Sequence, residues 1–272
     1  MHLFYKSTYN RVNYRSVKES IAMSKTMEIY YFSPTGGTKK VTRIFVDAME
    51  GEAKWYDLGK KAPLPEEAAA ELTVFAAPVF GGRIPSVARE KMKKLNGAGK
   101  RAVTLAVYGN RAYEDALLEM NDLLTGNGFI VIASGAFVAQ HSMDPEVGAG
   151  RPNQEDAKEI RDFANAVRNK KETTGVQVPG NHPYKSEMKV PCTPISRSAC
   201  NRCGACVKVC PTEAISMTAK GIATDKEKCI LCMACTSVCP QHARTLPPPV
   251  QGMMKLMLGK LKNVRNKNES FL

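Results

Sequence analysis

Eight of the nine cysteines in this 272-residue chain fall in two copies of a single run. Cys200, Cys203, Cys206 and Cys210 are spaced C-x2-C-x2-C-x3-C and followed by Pro211. Cys229, Cys232, Cys235 and Cys239 repeat the spacing and are followed by Pro240. Three thiolates at two-residue intervals wrap one face of a [4Fe–4S] cubane, and in paired runs the fourth cysteine ligates the other run's cluster. The spacing therefore predicts one cluster on Cys200, Cys203, Cys206 and Cys239, and a second on Cys229, Cys232, Cys235 and Cys210. Structural zinc sites pair C-x2-C ligands across a long loop, which these triplets do not. Disulfides need an oxidising compartment. The first twenty residues show neither the apolar stretch nor the small-residue cleavage site of a secretory signal, so a cytoplasmic setting is expected. Cys192 lies outside both runs and reads as a free thiol.

A second chemistry is written near the other end. Ser33-Pro34-Thr35-Gly36-Gly37-Thr38 closes an apolar strand pattern and opens a helical one. Hydroxyls and glycines at a helix N-terminus offer backbone amides and a favourable dipole to a phosphate. The run is neither G-x-G-x-x-G nor a lysine-bearing P-loop, so a dinucleotide or a nucleoside triphosphate is not what it suggests. Two more loops follow strands: residues 78–85, with Phe80, Gly81 and Gly82, and residues 108–114, with Gly109, Asn110 and Tyr113. In an open parallel sheet such loops converge beyond the carboxyl ends of the strands. Phe80 and Tyr113 could there sandwich a planar ring. His141, at the same sheet edge, is either a proton donor to that ring or an ordinary loop histidine.

The T-G-G-T loop is similar to the flavodoxin phosphate loop. Gly109 with Tyr113-Glu114 looks like the flavodoxin loop whose tyrosine stacks on the isoalloxazine. With the cysteine runs behind it, the chain resembles, over residues 27–246, the flavodoxin–ferredoxin fusion proteins of anaerobic microbes. The resemblance implies FMN, with Ser33, Thr35, Gly36, Gly37 and Thr38 on its phosphate. Phe80, Gly81 and Gly82 would line one side of the ring, and Gly109, Asn110 and Tyr113 the other. Flavodoxins commonly carry an acidic residue where this chain has Asn110, which implies an easier formation of the reduced, anionic flavin. Their inner aromatic is often tryptophan, whereas the only tryptophan here is Trp55, on the second strand.

The elements that must position these residues follow from periodicity. Strand patterns cover 28–33, 53–58, 72–79, 102–108 and 129–138, and helical ones 38–49, 86–95, 113–124 and 154–169. Apolar strands with little alternation suit a parallel sheet covered on both faces. The expected fold is a doubly wound α/β domain with five parallel strands, followed by a small α+β 2[4Fe–4S] ferredoxin domain. The expected division is a disordered leader over 1–26, the FMN domain over 27–171, and a proline-punctuated linker over 172–195. The cluster domain then covers 196–246, and a basic helix with a frayed tail covers 247–272. The linker would let the domains dock and separate.

Composition narrows the function classes. Hydrophobic content of 43% and charged content of 24% are globular values, and no run reaches the ~20 apolar residues of a membrane span. The formal charge of +13 counts the cysteines as neutral; clusters and a flavin phosphate would lower it to about +7. That surplus suits an acidic protein redox partner, and no nucleic-acid-binding motif accompanies it. The C-terminal helix packs on its own domain or, in the other reading, touches a membrane surface. The function expected is electron transfer between two [4Fe–4S] clusters and FMN, and onward to a partner. The alternatives are an FMN-dependent reductase of a quinone or nitro compound, and a flavin-free ferredoxin with a docking domain.

Overall fold

A computed structural model describes residues 26–172, 174–188 and 191–272. All but Thr26 of the expected leader lies outside the described residues. Five strands, β1 (Met27–Tyr31), β2 (Ala53–Asp57), β3 (Leu72–Pro78), β4 (Arg101–Tyr108) and β5 (Ile130–Val138), lie parallel in the order β2-β1-β3-β4-β5. This is the flavodoxin-like doubly wound order, whose switch point falls between β1 and β3. Helices α1 (Gly37–Met49), α2 (Ser86–Met92), α3 (Ala116–Gly126) and α4 (Gln154–Asn169) cover both faces. Val41 and Phe45 of α1 and Ile160 and Phe163 of α4 pack on one face. Met92 of α2 and Leu117, Met120 and Leu124 of α3 pack on the other. The unalternating strands are explained by this burial on both sides.

The sheet has a sixth strand that the sequence pattern does not announce. β10 (Glu269–Phe271) runs antiparallel along the outer edge of β5, with Glu269 opposite Ala136 and Phe271 opposite Ser134. An open edge leaves unpaired N–H and C=O groups, and the tail satisfies them. Asn268 Oδ1 accepts from Val138 N at 2.8 Å just beyond the strand. The tail expected to fray is thus part of the α/β domain.

The linker is docked as well. Val176 N donates to Val131 O at 3.1 Å. The Asp115 carboxylate accepts from Asn181 N at 2.9 Å and Lys185 N at 2.7 Å, and Tyr184 Oη donates to Asp122 at 2.5 Å. The segments before and after the cysteine-rich one are therefore both bonded to the α/β domain, which is the docked state of the two expected of the linker.

Within that segment, β6 (Ile195–Ser196) pairs with β9 (Arg244–Thr245), and β7 (Ile215–Thr218) pairs with β8 (Gly221–Thr224). Two single-turn helices, α5 (Ala205–Lys208) and α6 (Ala234–Ser237), follow the cysteine triplets. The repeat is written in the backbone. Left-handed φ values recur at equivalent positions of the two halves: Arg202 and Leu231, Gly204 and Met233, Glu213 and His242. Last comes α7 (Pro248–Gly259), with proline where a first helical turn tolerates it.

Candidate functional site

The loop from β1 into α1 presents backbone amides at a helix start. Gly36 sits at φ +93°, and α1 starts with no side-chain cap and no acidic residue in its first turn. The amides at such a helix start have no intrahelical acceptor. Ser33 Oγ accepts from one of them, Lys39 N, at 2.9 Å. A Cβ on Gly37 would stand 3.1 Å from that of Ala139. Backbone amides are thus exposed to an approaching oxyanion, as a phosphate requires.

Thr35, Gly37 and Thr38 open onto a cavity of about 450 Å³, within the range of ordinary ligand pockets. Phe80 and Gly81 line it from the loop after β3, Tyr108 and Gly109 from the end of β4, and His141 from beyond β5. Two glycines are sterically required. A Cβ on Gly81, at φ +61°, would stand 2.8 Å from Met188 Cβ, and one on Gly109 would stand 2.5 Å from His141 Cδ2. The loop carrying Phe80 is braced by the buried Glu119. Its carboxylate accepts from Arg83 Nε at 2.8 Å, Arg83 Nη2 at 2.6 Å and Ile84 N at 3.1 Å. His141 Nδ1 accepts from Met143 N at 3.2 Å and Asp144 N at 3.4 Å. Burial, outweighing the Asp144 carboxylate, lowers its pKa, so the ring is neutral with its proton on Nε2.

The remaining sides come from outside the α/β domain. Met253, Met254, Met257 and Leu258 of α7 form an apolar wall, and Leu231 and Cys232 reach the same space from the second cysteine run. The heptad-like pattern of α7 is visible in the sequence, but nothing local says which surface it covers. The apolar wall expected of Tyr113 thus comes from methionines, which adapt to irregular shapes.

Five of the sequence-predicted residues do not line this cavity. Ser33 holds Lys39 N, as above. Gly82, at φ +93°, backs onto Glu114, where a Cβ would collide. Tyr113 packs against Tyr108 with ring centroids 5.5 Å apart and hydrogen-bonds Glu269 of the tail. Asn110 is 0% exposed. Its Nδ2 donates to Leu261 O at 3.2 Å and Val264 O at 2.7 Å, while its Oδ1 accepts from Asn266 N at 3.1 Å and Arg151 Nη1 at 3.2 Å. Asn110 therefore anchors the tail. Gly36 lines the adjoining groove with Lys40 and Arg151.

The cysteines group across the repeat. Cys210, from the first run, lines one small cavity with Cys229, Cys232 and Cys235, walled by Ile215, Ile230 and Leu231. Cys206 is buried, Cys200 half-buried and Cys203 exposed. Backbone amides aim at sulfur in both halves: Ala214 N donates to Cys210 Sγ and Ala243 N to Cys239 Sγ, each at 3.3 Å. Burial pushes the Cys232 thiol up to about 12 and raises Cys206, Cys229 and Cys235 as well. At Cys239 burial is outweighed by the amides of Arg244, Ala243 and Gln241, and the thiol lies below its usual value. An apolar chamber with four sulfurs on its walls and amides directed at two of the eight fits a cubane, whose thiolate ligands need the protons removed. Among the described residues, no group of three or more His, Cys, Asp or Glu is placed to hold a single metal ion.

A flavodoxin-like α/β domain followed by a cysteine-rich module is consistent with a flavodoxin–ferredoxin fusion. Residues 199–243 match a sequence family described as a 4Fe–4S dicluster domain. Among solved structures, the chain is similar to a flavodoxin of Streptococcus pneumonia TIGR4 (17% identity, 52% of this chain and 95% of that one, TM-score 0.40). It is also similar to flavodoxin 1 of Bacillus cereus (15%, 52% and 95%, TM-score 0.42) and to the Fusobacterium nucleatum flavodoxin bound to flavin mononucleotide (14%, 53% and 97%, TM-score 0.41). No curated protein matches. The fold assignment rests on the strand order described above. Among the described residues, no helix is long and apolar enough to cross a membrane.

Proposed function

We propose that the chain is an iron–sulfur flavoprotein that carries electrons between two [4Fe–4S] clusters and FMN, and onward to a protein partner. The observation that carries this reading is a shared wall: Leu231 and Cys232 line the same cavity as Thr35, Phe80 and Gly109. When bound, the clusters supply single-electron exchange and FMN supplies one- or two-electron exchange. Cys210, Cys229, Cys232 and Cys235 would ligate the cluster beside the cavity. Cys200, Cys203, Cys206 and Cys239 would ligate the outer one.

Each remaining residue has a physical task. The amides of Thr35, Gly36, Gly37 and Thr38 receive the phosphate, and Ser33 fixes the helix start that presents them. Phe80, Gly81 and Gly109 frame the ring, while Met253, Met254 and Met257 exclude water from it. His141 holds a proton on Nε2 in the cavity wall. On the outer side, Cys203 is exposed, and Arg197, Arg202 and Lys220 line a groove beside Cys200. A cationic face over the outer quartet steers an acidic partner to it.

Anaerobic purification with iron, sulfide and flavin quantified together tests this. About eight irons and one FMN per chain are expected. Zinc in place of iron defeats the reading. Full iron without flavin favours a docking domain, and rapid turnover of a quinone or nitro acceptor favours a reductase.

A further inference from the structure

The two cysteine runs are copies, and at one buried position the copies differ in charge. Ile215, five residues after Cys210, is a core residue of the first half; Arg244, five residues after Cys239, takes the equivalent place in the second. Arg244 is 3% exposed. Its Nη1 donates to Ser196 Oγ at 3.1 Å and its Nη2 to Thr224 Oγ1 at 2.5 Å, both neutral hydroxyls. Its Nε is buried with no partner, and among the described residues no carboxylate lies within ion-pair distance. A guanidinium cannot shed its charge, and a buried cation without an anion is strongly unfavourable. An apolar residue serves at the same place in the other half, so the fold does not demand the arginine.

Beyond those hydroxyls, Arg244 lies near cysteines of both runs. Its charge bears on Cys206 and Cys239 of one proposed quartet and on Cys229 and Cys235 of the other, with a hydrogen-bond contact to Cys235. These are the atoms that become anionic when clusters are bound.

We propose that Arg244 is the counter-charge shared by both clusters, its unpartnered Nε–H donating to cluster sulfur and its cation holding both reduction potentials above the values an apolar residue would set. The inference rests on the iron–sulfur reading of the cysteines. Each cluster gains one electron on reduction, delivered by the redox partner or the flavin, and takes up no proton. The fixed charge of a guanidinium favours the reduced, more negative state. Hydrogen bonds and charge near the sulfurs are established determinants of cluster potential.

The test is a potentiometric titration followed by electron paramagnetic resonance, on full-length protein of measured iron content. In Arg244→Met, both midpoints should fall by at least the equivalent of a tenfold change in the reduction equilibrium, about 59 mV for a one-electron couple. Arg244→Lys should keep the larger part of the wild-type value. Arg244→Ile, which installs the residue of the first half, guards against a packing defect peculiar to methionine. If neither neutral variant retains clusters while the lysine variant loads fully, cluster retention itself tracks the charge, as proposed. Fully loaded neutral variants with wild-type potentials overturn the proposal, as do a shift confined to one cluster and a failure of all three variants to load. Wild-type protein without iron would defeat the underlying reading instead.

Discussion

Asn110→Ala should loosen the C-terminal tail without damaging the clusters. The substitution removes two hydrogen bonds donated to Leu261 O and Val264 O and two accepted from Asn266 N and Arg151 Nη1. Three of the four reach the tail, and at roughly 1 kcal/mol net each they hold it by about 3 kcal/mol. Alanine must also hold φ +58°, which costs the loop about 1 kcal/mol. The tail keeps its bonds to Tyr108, Arg151 and Val138, so it should open locally far more often while the α/β core stays folded. Amide hydrogen exchange reads this directly. Residues 269–271 should exchange about a hundredfold faster, as about 3 kcal/mol implies, and iron content should not change. A tail that stays protected while the melting midpoint drops would refute the reasoning. Asn110→Asp is the sharper companion. It keeps the acceptor for Arg151 but sets a carboxylate against two carbonyl oxygens, so it too should loosen the tail.

Gly109→Ala should weaken FMN binding about tenfold, near 1.4 kcal/mol, because its Cβ would stand 2.5 Å from His141 Cδ2; equilibrium dialysis with unchanged affinity would remove that loop from the ring site. Cys210→Ala should cost the cluster on Cys229, Cys232 and Cys235 and leave the other intact, halving iron to about four per chain. Spectroscopic damage to the other cluster instead would rule out the exchange of fourth ligands. Hydrogen bonding from Arg111 and Lys185, against partial burial, holds Glu114 at about 2 instead of its ordinary 4.5. A carboxyl depressed in the folded state stabilises fully above its unfolded value and loses that contribution as pH falls toward the folded one. Part of the protein's stability should therefore be lost between about pH 4.5 and about pH 2, and thermal melts of Glu114→Gln should show a smaller loss over that window.

The order of strands and helices was readable because each carries a period long enough to register. Val, Ile and Ala runs mark β3, β4 and β5, and Ile160, Phe163, Ala164 and Val167 mark α4 at helical spacing. β10 was not readable: Glu-Ser-Phe has no period, and its reason for being a strand is the open edge of β5. The same cause misplaced Asn110 and Tyr113. Their loop looks like one that faces a ring, and only the folded chain reveals that the tail occupies that side. Cysteine spacing is a local signal and needed no tertiary knowledge. The methionines of α7 were visible as a stripe, yet their target is a cavity assembled from segments far apart in sequence. Arg244 was hidden in plain view, since its meaning comes from comparing one half of the repeat with the other.

The tail strand also sets a timetable. A ribosome makes the chain from its N-terminus, so β1 to β5 and the phosphate loop exist before the cysteine runs, and the runs before α7 and β10. The edge of β5 stays bare until the last of these segments emerges. The methionine wall can close over the cavity only after both cluster-binding runs have been made. The cleft beyond the sheet therefore stays uncovered on the growing chain until α7 has been made.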